Sequence, residues 1–113
     1  MVTPAISAVV LVPFPFSDLS RAKMRPAIVL ADAGRGDWIL CQITNNPYGD
    51  AMAIQLIDES FATGSLRVTS YARPGKLFTA SGNLIVSQIG HLKTEPFRRV
   101  VEGVVEIIRR GLP

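Results

Sequence analysis

The sequence has one cysteine, Cys41, and one histidine, His91, in 113 residues. A single cysteine excludes an internal disulfide, and with it the small disulfide-stapled folds. One cysteine and one histidine far apart in the chain do not make a zinc site, so no metal ligands and no cofactor are expected. Charge is sparse as well, at 19% of residues against 48% hydrophobic. That balance excludes an intrinsically disordered chain. Twelve basic and nine acidic residues leave a net charge of +3, too small to name an anionic partner unless the charges cluster. The apolar runs are short and broken by proline, so no transmembrane helix is expected. No basic segment precedes the first apolar stretch, so no signal peptide is expected. The expectation is a reduced, cytoplasmic protein with no membrane association, forming one domain over residues 1–113. A chain of this length buries roughly two-thirds of its unfolded surface and supports its own core. Its high apolar fraction further predicts that a partner covers part of its surface.

Short β-branched and apolar runs dominate what is present. Residues 8–16 (AVVLVPFPF) read as a strand whose prolines confine its far end to an edge or bend. Residues 17–24 (SDLSRAKM) read as a polar loop, and 26–31 (PAIVLA) as a buried strand. A glycine-rich turn at 33–37 leads to a strand at 38–44 (WILCQIT). Alternation there puts Trp38, Leu40, Gln42 and Thr44 on one face and Ile39, Cys41 and Ile43 on the other. After the loop NNPYGD, strands are expected at 51–57 and 65–71, with weaker candidates at 76–79 and 84–89. The period then changes. Phe97, Val100, Val101, Val104, Val105 and Ile108 recur at helical spacing. Thr94 is the expected N-cap, Glu95 suits the positive end of the helix, and Arg109 and Arg110 suit the negative end before Gly111. Five to seven short strands followed by one helix predict a mainly β fold, a small, strongly bent barrel.

Three segments in succession carry a resemblance: VVLVPFPFSDLS at 9–20, KMRPAIVLA at 23–31 and WILCQIT at 38–44. RPGKLFT at 73–79 and LIVSQIGHL at 84–92 extend it in the same order over nearly the whole chain. The sequence resembles the MazF/PemK family of toxins from bacterial type II toxin–antitoxin systems. The resemblance implies an SH3-like barrel with a C-terminal helix, a homodimer, and metal-independent endoribonuclease activity on single-stranded RNA such as mRNA. It implies an acidic antitoxin that blocks the RNA site. It assigns the catalytic arginine to Arg25, before the proline of the RP pair, and the catalytic threonine to Thr44. The family's usual Gly-Asp pair before the first strand is replaced here by Ser7 and Ala8.

The chemistry fits these residue types. RNA cleaves itself when its 2′-oxygen attacks the adjacent phosphorus, and catalysis requires stabilising charge on the phosphorane oxygens. Arginine presents five donors in a planar fork that matches phosphate bidentately. It stays protonated and does not serve as a base. The proton path is left to a water, to the RNA itself, or to a loop carboxylate such as Asp18. Arg21, Lys23 and Arg25 concentrate positive charge beside one loop and read either as a solvated loop or as a phosphate-tracking patch. The expected RNA contacts are Arg21, Lys23, Gln42, Asn45, Tyr48, Arg73 and Lys76, with Tyr48 as a base-stacking platform. Phe14 and Phe16 read as core or interface, His91 as a surface or helix-entry residue, and Cys41 as a small core hydrophobe. Two other functions compete: a non-catalytic barrel that binds RNA or peptide, and a toxin of similar fold that poisons a topoisomerase. The pairing of Arg25 with Thr44 favours the nuclease.

Overall fold

The structure, a computed structural model, describes residues 4–14 and 23–113. The apolar runs become seven strands: β1 (Ala8–Phe14), β2 (Lys23–Gly34), β3 (Asp37–Thr44), β4 (Ile54–Leu56), β5 (Phe61–Gly64), β6 (Ser70–Ser81) and β7 (Ser87–Leu92). One helix follows, α1 (Thr94–Arg109). The strands form one antiparallel sheet in the order β4-β6-β3-β2-β1-β7-β5, curled into a half-barrel. The expected small barrel with a closing helix is the fold observed.

Both faces of the sheet are covered, which explains why its strands read as continuous apolar runs. Val9, Ile28, Cys41 and Ile43 pack with Leu56, Ala72 and the helix residue Val100. Their sequence neighbours Val10, Ala27, Val29 and Leu40 pack in a second cluster with Val12, Ala80 and Ile85. The predicted alternation on β3 therefore separates Leu40 from Cys41 and Ile43. Phe14 is a packing residue, its ring 4.9 Å from that of Phe78.

The central irregularity lies in β6. Two steps along β3, from Cys41 to Ile43, oppose five steps along β6, from Leu77 to Ala72. The extra residues make a bulge at Arg73, Pro74 and Gly75, where a missing proline N–H breaks no ladder bond. Pro74 is fully buried. It lies against Gly103 of α1, where an added Cβ would come within 3.0 Å of the Pro74 Cγ. Helix and sheet meet this closely because position 103 carries no side chain.

Several expected boundaries shift. β2 already begins at Lys23, inside the loop expected over 17–24; residues 17–22, with Phe16, lie outside the described residues. The turn at 33–37 tightens to Arg35 and Gly36, both at positive φ. The strand expected over 51–57 shrinks to β4. The strand expected over 65–71 is a loop at 65–69 that leads into β6. Val68 and Thr69 favour strands, but Arg67 sits at a φ of 67°, outside the extended region that a side-chain-bearing strand residue occupies. The weak candidate at 76–79 is the interior of the twelve-residue β6. The helix N-cap is Lys93 rather than Thr94, and no side chain caps it. The Lys93 N–H instead donates to the Ser60 carbonyl at 2.9 Å, while its carbonyl accepts from Phe97. Docking of the β7 end thus sets the helix start. Of the predicted apolar stripe, Val100 is buried and Phe97 half-buried, but Val105 and Ile108 are 41% and 66% exposed. Val100 and Gly103 lie on the packed face, and the helical period leaves Val105 and Ile108 off it.

Gly64 opposes Gly90 across β5 and β7. Gly64 has a φ of 74°, and a Cβ there would land on the Ile89 carbonyl and within 2.6 Å of the Gly90 Cα. This close approach fixes where the 65–69 loop leaves the sheet. Gly64→Ala is expected to destabilise the protein by about 2–3 kcal/mol through positive φ and overpacking together. Urea denaturation would check this, and an unchanged midpoint would contradict it.

Candidate functional site

A cavity of about 400 Å³ opens between the start of β2, the end of β3 and the 65–69 loop, with Leu11 and Ile89 on its apolar side. Its size falls in the range of about 300–1,000 Å³ typical of ligand pockets. Lys23 and Arg25 enter it from β2, where residues two apart share a face. Thr44 and Asn45 enter from the end of β3, and Ser65, Arg67 and Ser70 from the opposite rim. Lys23 is exposed and Arg25 half-buried. The lining therefore holds three cations, several hydroxyls and an amide. Among the described residues it holds no carboxylate and no imidazole.

Thr44 is 8% exposed. Its hydroxyl accepts from the Asn46 N–H at 3.1 Å and donates to the Asn46 carbonyl at 3.0 Å. This turn is the local interaction typical of threonine at a strand end. It holds the hydroxyl at the cavity wall with acceptor capacity to spare. The Asn46 side chain in turn accepts from the Tyr48 N–H at 3.0 Å. Tyr48 has a φ of 51° and is 77% exposed.

The loop after Thr44 is tied down at Asp50. Its carboxylate accepts from the Met52 N–H at 2.9 Å and from Arg73 Nε at 2.9 Å. The Arg73 bond, with the Met52 bond behind it, holds the Asp50 carboxyl below its ordinary range. The Arg73 carbonyl also accepts from the Cys41 thiol at 3.3 Å. Burial pushes that thiol up to about 12, so Cys41 is a core residue and not a nucleophile.

Of the residues chosen from sequence, the cavity brings together Arg25, Thr44, Lys23 and Asn45. Gln42 is half-buried on β3 opposite Ala27, away from the lining. Tyr48 projects from its loop outside the cavity. Arg73 is engaged by Asp50, and Lys76 is exposed on β6 just past the bulge. Asp18 and Arg21 lie outside the described residues. His91 sits on β7, where its Nε2 is 2.9 Å from the Gln88 amide nitrogen, and it does not reach the cavity. Sequence reasoning missed Arg67, Ser65 and Ser70. The one available signal was Gly64-Ser65, a turn pair at the start of a run that otherwise reads as a strand.

Comparison with known proteins places the chain in a family. The family described as PemK-like, MazF-like toxin of type II toxin–antitoxin system matches residues 7–108. No curated protein matches the chain in sequence. Solved structures match in fold. A MazE–MazF complex from Deinococcus radiodurans is 16% identical with a TM-score of 0.74, covering 97% of each chain. An endoribonuclease in complex with its cognate antitoxin, from a mycobacterial species, is 12% identical with a TM-score of 0.71, covering 100% of this chain and 98% of the other. The Mycobacterium tuberculosis toxin MazF-mt6 is 14% identical with a TM-score of 0.68, covering 89% and 95%.

The Asp50–Arg73 bond makes a pH-dependent contribution. A carboxyl whose pKa is depressed by folding stabilises above its unfolded pKa, and that stability is lost as pH falls through the folded value. Asp50→Asn is expected to cost about 1 kcal/mol at neutral pH. The gap to wild type should then close as pH drops below the usual carboxylate range. Urea midpoints of both proteins across the acid limb would test this; a gap independent of pH would contradict it.

Proposed function

This chain belongs to the PemK-like, MazF-like toxin family of type II toxin–antitoxin systems, and on that footing we propose that it is an endoribonuclease that cleaves single-stranded RNA, mRNA included. The observation that carries the reading is the cavity itself: Lys23, Arg25 and Arg67 line it with no carboxylate among the described residues. A surface of that kind attracts a polyanion. The mycobacterial structure of the same fold is that of an endoribonuclease bound to an antitoxin, which supports both the activity and an antitoxin as partner; the positive cavity favours an acidic one. The antitoxin would compete with RNA for the same positive surface.

In the proposed mechanism the RNA supplies its own nucleophile, the 2′-oxygen next to the scissile phosphate. Arg25 donates bidentately to the phosphorane oxygens as negative charge builds on them. Thr44, held by its turn with Asn46, offers its hydroxyl at the same wall. A water, the RNA or Asp18 completes the proton path. Lys23 and Asn45 hold the strand within the cavity. Gln42, Tyr48, Arg73 and Lys76 would meet RNA only where the strand runs beyond it; Arg21 lies outside the described residues. Growth inhibition would follow from loss of intact mRNA in the cytoplasm.

We further propose a homodimer. Val105, Ile108 and Leu112 are exposed at helical spacing along and just past α1, an apolar ridge suited to cover by a second chain. Light scattering should return about twice the 12.2 kDa chain mass; a single-chain mass at micromolar concentration would contradict it.

The nuclease reading predicts that cleavage of a long single-stranded RNA persists in EDTA and leaves a 2′,3′-cyclic phosphate and a 5′-hydroxyl. Activity lost on chelation, or 5′-phosphate products, would overturn it. Arg25→Ala should lower the rate by about 10²–10³ with the fold intact, and Arg25→Lys should restore little because it lacks the fork. An alanine variant of full activity would remove Arg25 from the site.

A further inference from the structure

We infer that Arg67, on the loop between β5 and β6, is a second phosphate-binding residue of the cavity, with Asp58 and Ser65 as the residues that position it. This rests on the ribonuclease reading above and extends it to the far rim of the site.

Three observations point to Arg67. First, it lines the main cavity and also an adjacent groove of about 180 Å³ bordered by Asp58, Glu59 and Thr69. It stands between the two, so a strand leaving the cavity along that groove passes it. Second, its backbone is held in a conformation that arginine rarely adopts, at a φ of 67°. Such a conformation is strained and persists only when its surroundings enforce it. The enforcing contacts form a short relay. The Arg67 N–H donates to Ser65 Oγ at 2.8 Å, and the Ser65 hydroxyl donates to Asp58 Oδ1 at 2.6 Å. Third, the guanidinium makes no ion pair among the described residues, although Asp58 and Glu59 border the same groove. Arg73, Arg98 and Arg110 each reach a carboxylate. Asp58 spends its carboxylate on Ser65 instead, and so orders the backbone beneath Arg67 while leaving the fork for a ligand.

The acidic edge of the groove adds direction. Asp58 and Glu59 repel phosphate, so the backbone of a bound strand is confined to the side of Arg67 and its bases face the carboxylates. Arg67 thus contacts a flanking phosphate, and its contribution is to binding more than to the chemical step.

The test uses Arg67→Gly, because glycine keeps positive φ without strain, together with Arg67→Lys and Ser65→Ala. Binding is read with a labelled, non-cleavable 2′-O-methyl RNA oligonucleotide over a range of salt, and cleavage with unmodified RNA. Arg67→Gly should bind about tenfold more weakly, with the salt slope reduced by about 0.7. Its KM should rise while kcat stays within about twofold, and Arg67→Lys should recover part of the slope. Ser65→Ala should weaken binding less, and should have no further effect when Arg67 is already glycine. If wild type cleaves RNA and Arg67→Gly binds with unchanged affinity and slope, Arg67 holds no phosphate and this inference falls alone. If wild type neither binds nor cleaves RNA, the ribonuclease reading falls with it.

Discussion

The bulge in β6 is the constraint on which the rest of the molecule depends. Three more residues lie on β6 than on β3 between the same two pairings, and the strand must bend to accommodate them. The bend presents Pro74 to Gly103 and so sets the helix against the sheet. It turns the Arg73 carbonyl toward the buried thiol of Cys41 and the Arg73 side chain toward Asp50. Asp50 then anchors the loop that begins at Thr44. One local irregularity thereby fixes the helix, the core beneath it and one rim of the cavity. Arginine at position 73 is structural in this arrangement before it is anything else.

The opposite rim depends on a different contact, the approach of Gly64 to Gly90. Neither glycine tolerates a side chain, and the chain leaves the sheet at Ser65 in a turn rather than as a continuing strand. Two rims made by two backbone irregularities enclose side chains supplied by regular strands. That division is physically sensible. The strands hold Arg25 and Thr44 in place by ladder pairing and core packing, which favours the preorganisation that charge stabilisation requires. The turns carry the groups that meet more variable parts of a ligand.

Much of the fold was legible because the cores sit on both faces of one sheet, so strand after strand announces itself as an apolar run. Val9 and Val10 go to different clusters, yet both had to be apolar. The helix was legible from its period. The N-cap was not, because Lys93 is set by the Ser60 carbonyl, a contact between residues far apart in sequence. Arg25 and Thr44 came from resemblance to a family, and the cavity does bring them together with Lys23 and Asn45. The 65–69 loop was misread because Val68 and Thr69 favour strands while positive φ at Arg67 leaves no mark in residue type. Arg73 looked like a free cation for want of any view of Asp50, twenty-three residues away.

The central claim is that single-stranded RNA occupies the cation-lined cavity. Backbone amide chemical-shift mapping with a 2′-O-methyl RNA oligonucleotide tests it most directly. The account predicts that the largest shifts fall at Lys23–Arg25, Ile43–Asn45 and Ser65–Ser70, with the β6–α1 contact little changed. Shifts confined to α1 or to the sheet face around Trp38 and Phe78, with the cavity residues unmoved, would contradict it.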